Sequence, residues 1–110
     1  MLDTILIIDD DLSHRAALAE CFEAAGYDVV TAEDGVQGAQ CITTLRPGIV
    51  VMEALLPRRD GFELCNWLKS DPRFKHMPVI LITSIHLTAE QKRQGIAVGR
   101  KQFVFRADRL

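Results

Sequence analysis

Aromatic residues are scarce in this 110-residue chain, at 6%, with a single Trp and a single Tyr. Phe62, Trp67 and Phe74 are too few and too scattered to form a stacking platform for bases. A sequence pI of about 5.9 also lacks the basic signature of a nucleic-acid-binding domain. No apolar run reaches the roughly 20 residues needed to span a bilayer, so a membrane span is not expected. Met1-Leu2-Asp3-Thr4-Ile5 carries no basic n-region, which argues against a secretion signal. Cys21, Cys41 and Cys65 are odd in number, widely spaced and never form a CxxC. Neither a disulfide framework nor a cysteine zinc site follows, and reduced thiols in a cytoplasmic protein are expected. There is no internal repeat, low-complexity tract or linker, so residues 1–110 are expected to form one domain.

Charge of one sign is not in overall excess, yet the two halves differ. Residues 1–53 hold ten acids and two arginines, and residues 54–110 hold eleven bases and five acids, leaving −2 overall. Most of these charges read as solvated helix faces. His14, His76 and His86 show no ligand spacing and read as surface residues.

What the chain does have is a regular alternation of apolar runs and amphipathic stretches. Ile5–Ile8, Ile49–Met52 and Val79–Ile82 are continuous apolar runs, as in strands buried on both faces. Asp28–Ala32 and Gln102–Phe105 are weaker runs, suited to edge strands. Leu18, Cys21, Phe22 and Ala25 have helical spacing, with Gly26 as a stop. Asp34-Gly35 opens a second helix that closes at Arg46-Pro47, and Asp60-Gly61 opens a third that ends by Asp71-Pro72. Thr88–Gln91 reads as a capping box for a polar fourth helix, with Ile96 and Ala97 near its end.

This order predicts an α/β, flavodoxin-like, doubly wound five-stranded parallel sheet of order 2-1-3-4-5. Ala107–Leu110 are too few for a covering helix after the last strand. Either that helix lies beyond this sequence or another chain covers the face.

Ligands of such sheets bind beyond the carboxyl ends of the strands, near the point where strand order reverses. Asp9, Asp10 and Asp11 follow the first strand, and Glu53 follows the third. Thr83 and Ser84 follow the fourth, and Arg106 follows the fifth. Acidic oxygens around a partly hydrated site suit Mg²⁺, while a hydroxyl and a guanidinium suit phosphoryl oxygens. The bland alternative is that Asp10 or Asp11 merely caps the helix beginning near Leu12.

Ile5–Asp11, Gly26–Ala32, Asp34-Gly35, Pro47–Gly61 and Pro78–Ser84 together resemble the bacterial response-regulator receiver domain, over nearly the whole chain. The resemblance implies a cytoplasmic two-component or phosphorelay signalling module, not an enzyme. It implies an upstream histidine kinase and protein partners at the fourth-helix and fifth-strand face, homodimers among them. Lys92, Arg93, Arg100, Lys101, Arg106 and Arg109 lie on that side. It further implies that Asp9, Asp10, Glu53 and the Leu55 carbonyl hold Mg²⁺. Thr83 matches the switch hydroxyl, with Ser84 beside it, and Phe103 matches the aromatic switch position.

Three positions depart from the family pattern. Glu53 stands where the acceptor is aspartate, Arg106 where the pocket has lysine, and Ala107 where proline follows that lysine. Glutamate is longer by one carbon–carbon bond, roughly 1.5 Å. Misplacement of about 1 Å can cost about a hundredfold in a positioned reaction, so Glu53 is expected to be a poor acceptor. Its carboxylate instead carries charge toward the phosphoryl position, and Arg106 can pair with it bidentately. A cis bond before Ala107 would cost about 2.5–4 kcal/mol, so trans is expected.

The favoured reading is therefore a pseudo-receiver. The alternatives are a conventional Mg²⁺-dependent receiver with an activating aspartate-to-glutamate change and a small Mg²⁺-dependent phosphohydrolase. Asp9-x-Asp11 suits the latter, but Leu12-Ser13 follow where that enzyme class has Gly-Thr, and there is no room for a substrate cap. A flavin module on the same fold would need a Ser/Thr/Gly-rich phosphate loop where three aspartates stand.

Overall fold

A computed structural model describes residues 4–82 in full, together with the backbone of Thr83, Ile96–Val98 and Gln102–Arg106. Strands β1 (Thr4–Ile8), β2 (Asp28–Ala32), β3 (Ile49–Glu53) and β4 (Val79–Thr83) alternate with helices α1 (Leu12–Ala24), α2 (Gly35–Leu45) and α3 (Gly61–Ser70). Strands β5 (Ile96–Val98) and β6 (Gln102–Arg106) complete a six-stranded sheet of order β2-β1-β3-β4-β6-β5.

The first four strands are parallel, as their apolar runs require. In register, Ile8 aligns with Ala32 on one side and Met52 on the other, and Met52 aligns with Leu81. Alternate residues face opposite ways. Leu6, Ile8, Val50, Met52, Val79 and Leu81 pack toward α2 and α3, against Ile42, Leu64, Cys65, Leu68 and Phe74. Ile5, Ile7 and Val51 face the other way, toward Leu18, Ala19 and Phe22 of α1.

The two faces are not equally covered. Helices α2 and α3 each have several buried residues, whereas α1 has none. Of its expected stripe, Leu18 and Phe22 are half-buried, but Cys21 and Ala25 are exposed. Ile49, Ile80 and Ile82 on that same sheet face are also only partly covered.

Helix boundaries follow the local chemistry. Asp11, Asp34 and Asp60 are the N-caps, each accepting a backbone N–H from the first turn. Helix α1 ends in a Schellman motif. Tyr27 donates to the Phe22 carbonyl at 3.1 Å and Gly26 to the Glu23 carbonyl at 3.0 Å. Gly26 takes φ of 97°, and the Tyr27 and Phe22 rings meet edge-on at 6.4 Å.

The C-terminal part corrects the expected topology. The strand at 102–106 lies beside β4 as expected, but it runs antiparallel, with Thr83 opposite Phe103 and Ile80 opposite Arg106. Ile96 and Ala97, expected at the end of a helix, form β5 and pair antiparallel with β6. An antiparallel ladder needs no crossover helix, and the 88–97 stretch had little apolar surface to hold one. The start of that expected helix, within 84–95, lies outside the described residues, as do residues 107–110 and the Arg106–Ala107 bond. Among the described residues, no helix is long and apolar enough to cross a membrane.

Leu64 is fully buried while Leu18 is only half-buried, so truncation should separate the two faces. Leu64→Ala is expected to cost about 2–5 kcal/mol in urea denaturation, and Leu18→Ala less than about half as much. Burial pushes the Cys65 thiol up to about 11. Its protonated form is favoured in the folded state, so its contribution to stability falls as pH rises from 9.0, the ordinary thiol value, through about 11. Thiol labelling at pH 8 is expected to modify exposed Cys21 first and Cys65 only on unfolding.

Candidate functional site

Asp9 is the first polar residue after the apolar run of β1, and it is only 3% exposed. Its backbone continues the parallel ladder, donating to the Ala32 carbonyl at 3.1 Å. A buried carboxylate must find partners, because stripping water from it is costly. Oδ1 accepts the Asp11 amide at 2.9 Å, and Oδ2 is paired with Nδ1 of His14. The guanidinium of Arg15 donates to the Asp9 carbonyl at 2.8 Å and lies 3.9 Å from Glu33. Among the described residues, Asp9 is the one buried charged side chain.

His14 reaches this position because Asp11 fixes where α1 begins. Oδ1 of Asp11 accepts the amides of Ser13 and His14 at 2.9 and 3.2 Å, closing the first turn. The imidazole, 31% exposed, is thereby carried back over the end of β1. This corrects the sequence reading of His14 as a scattered surface residue.

Glu53 ends β3, and its half-buried side chain comes to the same edge. Donor atoms of Asp9, His14 and Glu53 all lie within 4.8 Å of one another. Glu53 Oε1 also faces the Leu55 amide at 3.4 Å, so the carboxylate turns toward its own loop. That loop is tightly placed: Ala54 donates to the Ile82 carbonyl at 2.9 Å, and Gly61 donates to the Ala54 carbonyl at 2.8 Å. A Cβ on Gly61 would lie 2.5 Å from the Glu53 carbonyl oxygen, so only glycine lets α3 start this close to β3.

The expected site residues therefore divide. Asp9 and Glu53 come together. Asp10 is exposed and stands outside the three-donor group, while Asp11 is the helix cap. Leu55 is 41% exposed, and its amide faces Glu53. Thr83 ends β4, with its Cα opposite that of Phe103, at the same edge. In the antiparallel register Arg106 stands opposite Ile80, three residues back along β4. The expected Glu53–Arg106 pair assumed a parallel strand carrying Arg106 to the edge, so its geometric basis is gone. Ser84 and the side chains of Thr83, Phe103 and Arg106 lie outside the described residues, as does most of the expected docking face.

Arg58 and Arg59, in the loop after Glu53, are engaged elsewhere. Arg58, at φ of 67°, pairs with Asp34 at 3.3 Å. Arg59 lies over the Trp67 ring at 5.0 Å, and Trp67 packs on Phe74 at 5.6 Å.

A family model described as the response regulator receiver domain matches residues 5–107. The chain is 35% identical over 100 residues to the DNA-binding dual master transcriptional regulator RpaA of Synechocystis, covering 91% of this chain and 41% of that protein. It is 27% identical to the polar-differentiation response regulator DivK of Brucella anthropi, covering 84% of this chain and 76% of that protein. Its fold is similar to the chemotaxis response regulator CheY4 of Vibrio cholerae, with a TM-score of 0.77 at 27% identity, covering 90% of this chain and 82% of that one.

Removing the imidazole leaves Asp9 Oδ2 without its partner in a largely buried setting. His14→Ala is expected to cost about 1–3 kcal/mol, at the lower end because water can enter beside a partly exposed ring. His76→Ala, at an exposed position, should change stability by less than about 0.5 kcal/mol. Urea denaturation at pH 7 separates the two.

Proposed function

We infer that this chain, which belongs to the response regulator receiver domain family, is a pseudo-receiver: a two-component signalling module not phosphorylated at the family's acceptor position. Membership of the family makes it a receiver domain of two-component signalling. The finer reading rests on one observation. By the resemblance Glu53 takes the acceptor position, and its carboxylate bends back toward the Leu55 amide at 3.4 Å, within 4.8 Å of the Asp9 and His14 donors.

An attacking carboxylate must be in line with the transferred phosphorus, because phosphoryl transfer is almost entirely positioning and charge stabilisation. The extra methylene and the turn toward Leu55 both work against that placement. Glu53 brings one fixed negative charge to an edge where a phosphoryl group would bring about 1.5 to 2. The module then acts by protein contacts, in the cytoplasm, with its state set by binding.

The family's Mg²⁺ prefers an all-oxygen, nearly octahedral shell with several waters. Asp9 and Glu53 are the carboxylates that would hold such an ion here, and it would displace the His14 imidazole from Asp9 Oδ2.

Incubation of the wild-type chain with acetyl phosphate and Mg²⁺ is expected to give no phosphoryl adduct by intact-protein mass spectrometry. Glu53→Asp is expected to raise labelling at residue 53 by about tenfold or more, given the cost of misplacement. Stoichiometric labelling of the wild type at Glu53 would sink the reading.

A further inference from the structure

We propose that the outer face of α2 is a self-complementary contact surface on which a second copy of this chain docks, helix against antiparallel helix, about a two-fold axis at Gln40. The contact goes beyond the pseudo-receiver reading and does not involve Glu53. Helix α2 lies over β1 and β2, away from β4 and β6.

A helix with one face in water ordinarily carries charge on that face. Helix α1 carries Arg15, Glu20 and Glu23, and α3 carries Glu63 and Lys69. Helix α2 has no Asp, Glu, Lys or Arg in its 11 residues, although 25% of the chain is charged. Its exposed side is Gln37, Gln40, Thr43, Thr44 and Leu45. A two-fold axis sets each residue beside it against its own copy. A charge placed there repels itself, whereas a side-chain amide both donates and accepts and can pair with its copy. The Thr43 hydroxyl already donates to the Ala39 carbonyl at 3.0 Å, so covering it leaves no donor unanswered.

The surface also has the relief of a helix-packing face. Gln40 and Thr44 form a ridge at i, i+4 spacing with a groove on each side. One groove, of about 300 Å³, is walled by Ala39, Thr43 and Trp67. The other, of about 230 Å³, is walled by Cys41 and Leu45. Packed helices seat the ridge of one in the groove of the next. Trp67, the chain's single Trp, and Leu45, 51% exposed, supply apolar contact there.

The two ends of α2 select the occupant. Exposed Glu33 stands seven residues before Gln40, and exposed Arg46 stands six after it. Antiparallel docking about Gln40 therefore sets Glu33 of each copy beside Arg46 of the other and opposes the helix dipoles. A parallel approach sets Glu33 against its own copy. Arg15 does not pre-empt Glu33, since its guanidinium is 3.9 Å away and bonds the Asp9 carbonyl. The face is small, one helix and the edge of α3, so the association is transient.

Sedimentation equilibrium of this chain from about 1 µM to about 1 mM, with Trp67 emission followed in parallel, tests the contact. Wild type is expected to pass from monomer to dimer as concentration rises, with the emission moving to shorter wavelength. Gln40→Lys and Gln40→Glu each put like charges on the axis and are expected to weaken self-association by about tenfold or more. Mixed one to one, these two variants are expected to associate with each other at least as well as wild type. Glu33→Arg is expected to weaken the dimer, and Glu33→Arg with Arg46→Glu in the same chain to restore it. Ala17→Lys, at an exposed position of α1, is expected to change nothing.

A chain that stays monomeric to about 1 mM overturns the proposal, whatever other protein is found on this face. A dimer indifferent to Gln40→Lys, or disrupted by Ala17→Lys, also overturns it, as does a double reversal at Glu33 and Arg46 that recovers nothing. Should Gln40→Lys fail to fold, the reversal at Glu33 and Arg46, outside the helix, decides.

Discussion

A carboxylate held in the interior at the end of β1 is the constraint around which this edge is organised. Asp9 extends a run of four buried apolar residues, and its amide is committed to the sheet ladder. The ladder sets the direction of its Cβ, and its side chain stays out of solvent at 3% exposure. The neighbouring chain must supply hydrogen bonds instead. The Asp11 amide, the His14 imidazole and, at the backbone, Arg15 supply them within six residues. The first turn of α1 is thus shaped by the charge it has to meet.

The same demand gives the two sheet faces different mechanical roles. The α2/α3 face is a dry core, with Leu64, Cys65, Leu68 and Phe74 at or below 1% exposure. It fixes β3 and, through Gly61 against the Glu53 carbonyl, fixes the backbone of Glu53. The α1 face has no fully buried helical residue. What fastens the start of α1 is polar: the Asp11 cap and the contacts to Asp9. Apolar burial holds one side of the site, and hydrogen bonding holds the other.

Much of this was legible in the sequence, and the failures have physical reasons. Continuous apolar runs mark β1, β3 and β4 because strands covered on both faces leave no polar positions. Asp34 and Asp60 mark helix starts because a short side-chain acceptor satisfies free amides there. Strand direction at 102–106 was not legible, since the two-residue alternation of a strand is the same when reversed. Only the pairing partner and the connection distinguish the two. His14 was missed for a different reason. Its five-residue separation from Asp9 fits no periodic ligand spacing, because the contact crosses a strand-to-helix junction rather than running along one element. The signal available was the aspartate cap at Asp11, which dictates that the residue three later turns back over the strand end.

The departure at residue 53 and the contact at residue 14 make more sense together than apart. In a site built for phosphoryl transfer, the acceptor must stand clear and the acidic pair must be open to a hard cation. Here the last residue of β3 is a glutamate that faces its own loop. The buried carboxylate already has an imidazole on the oxygen a cation would use. In the pseudo-receiver reading, the two together give an edge whose charges are answered from within the chain. Any ligand that changes the state of this edge has to compete with His14 for Asp9. Because His14 rides on the half-buried helix, that competition is also a competition over where α1 begins.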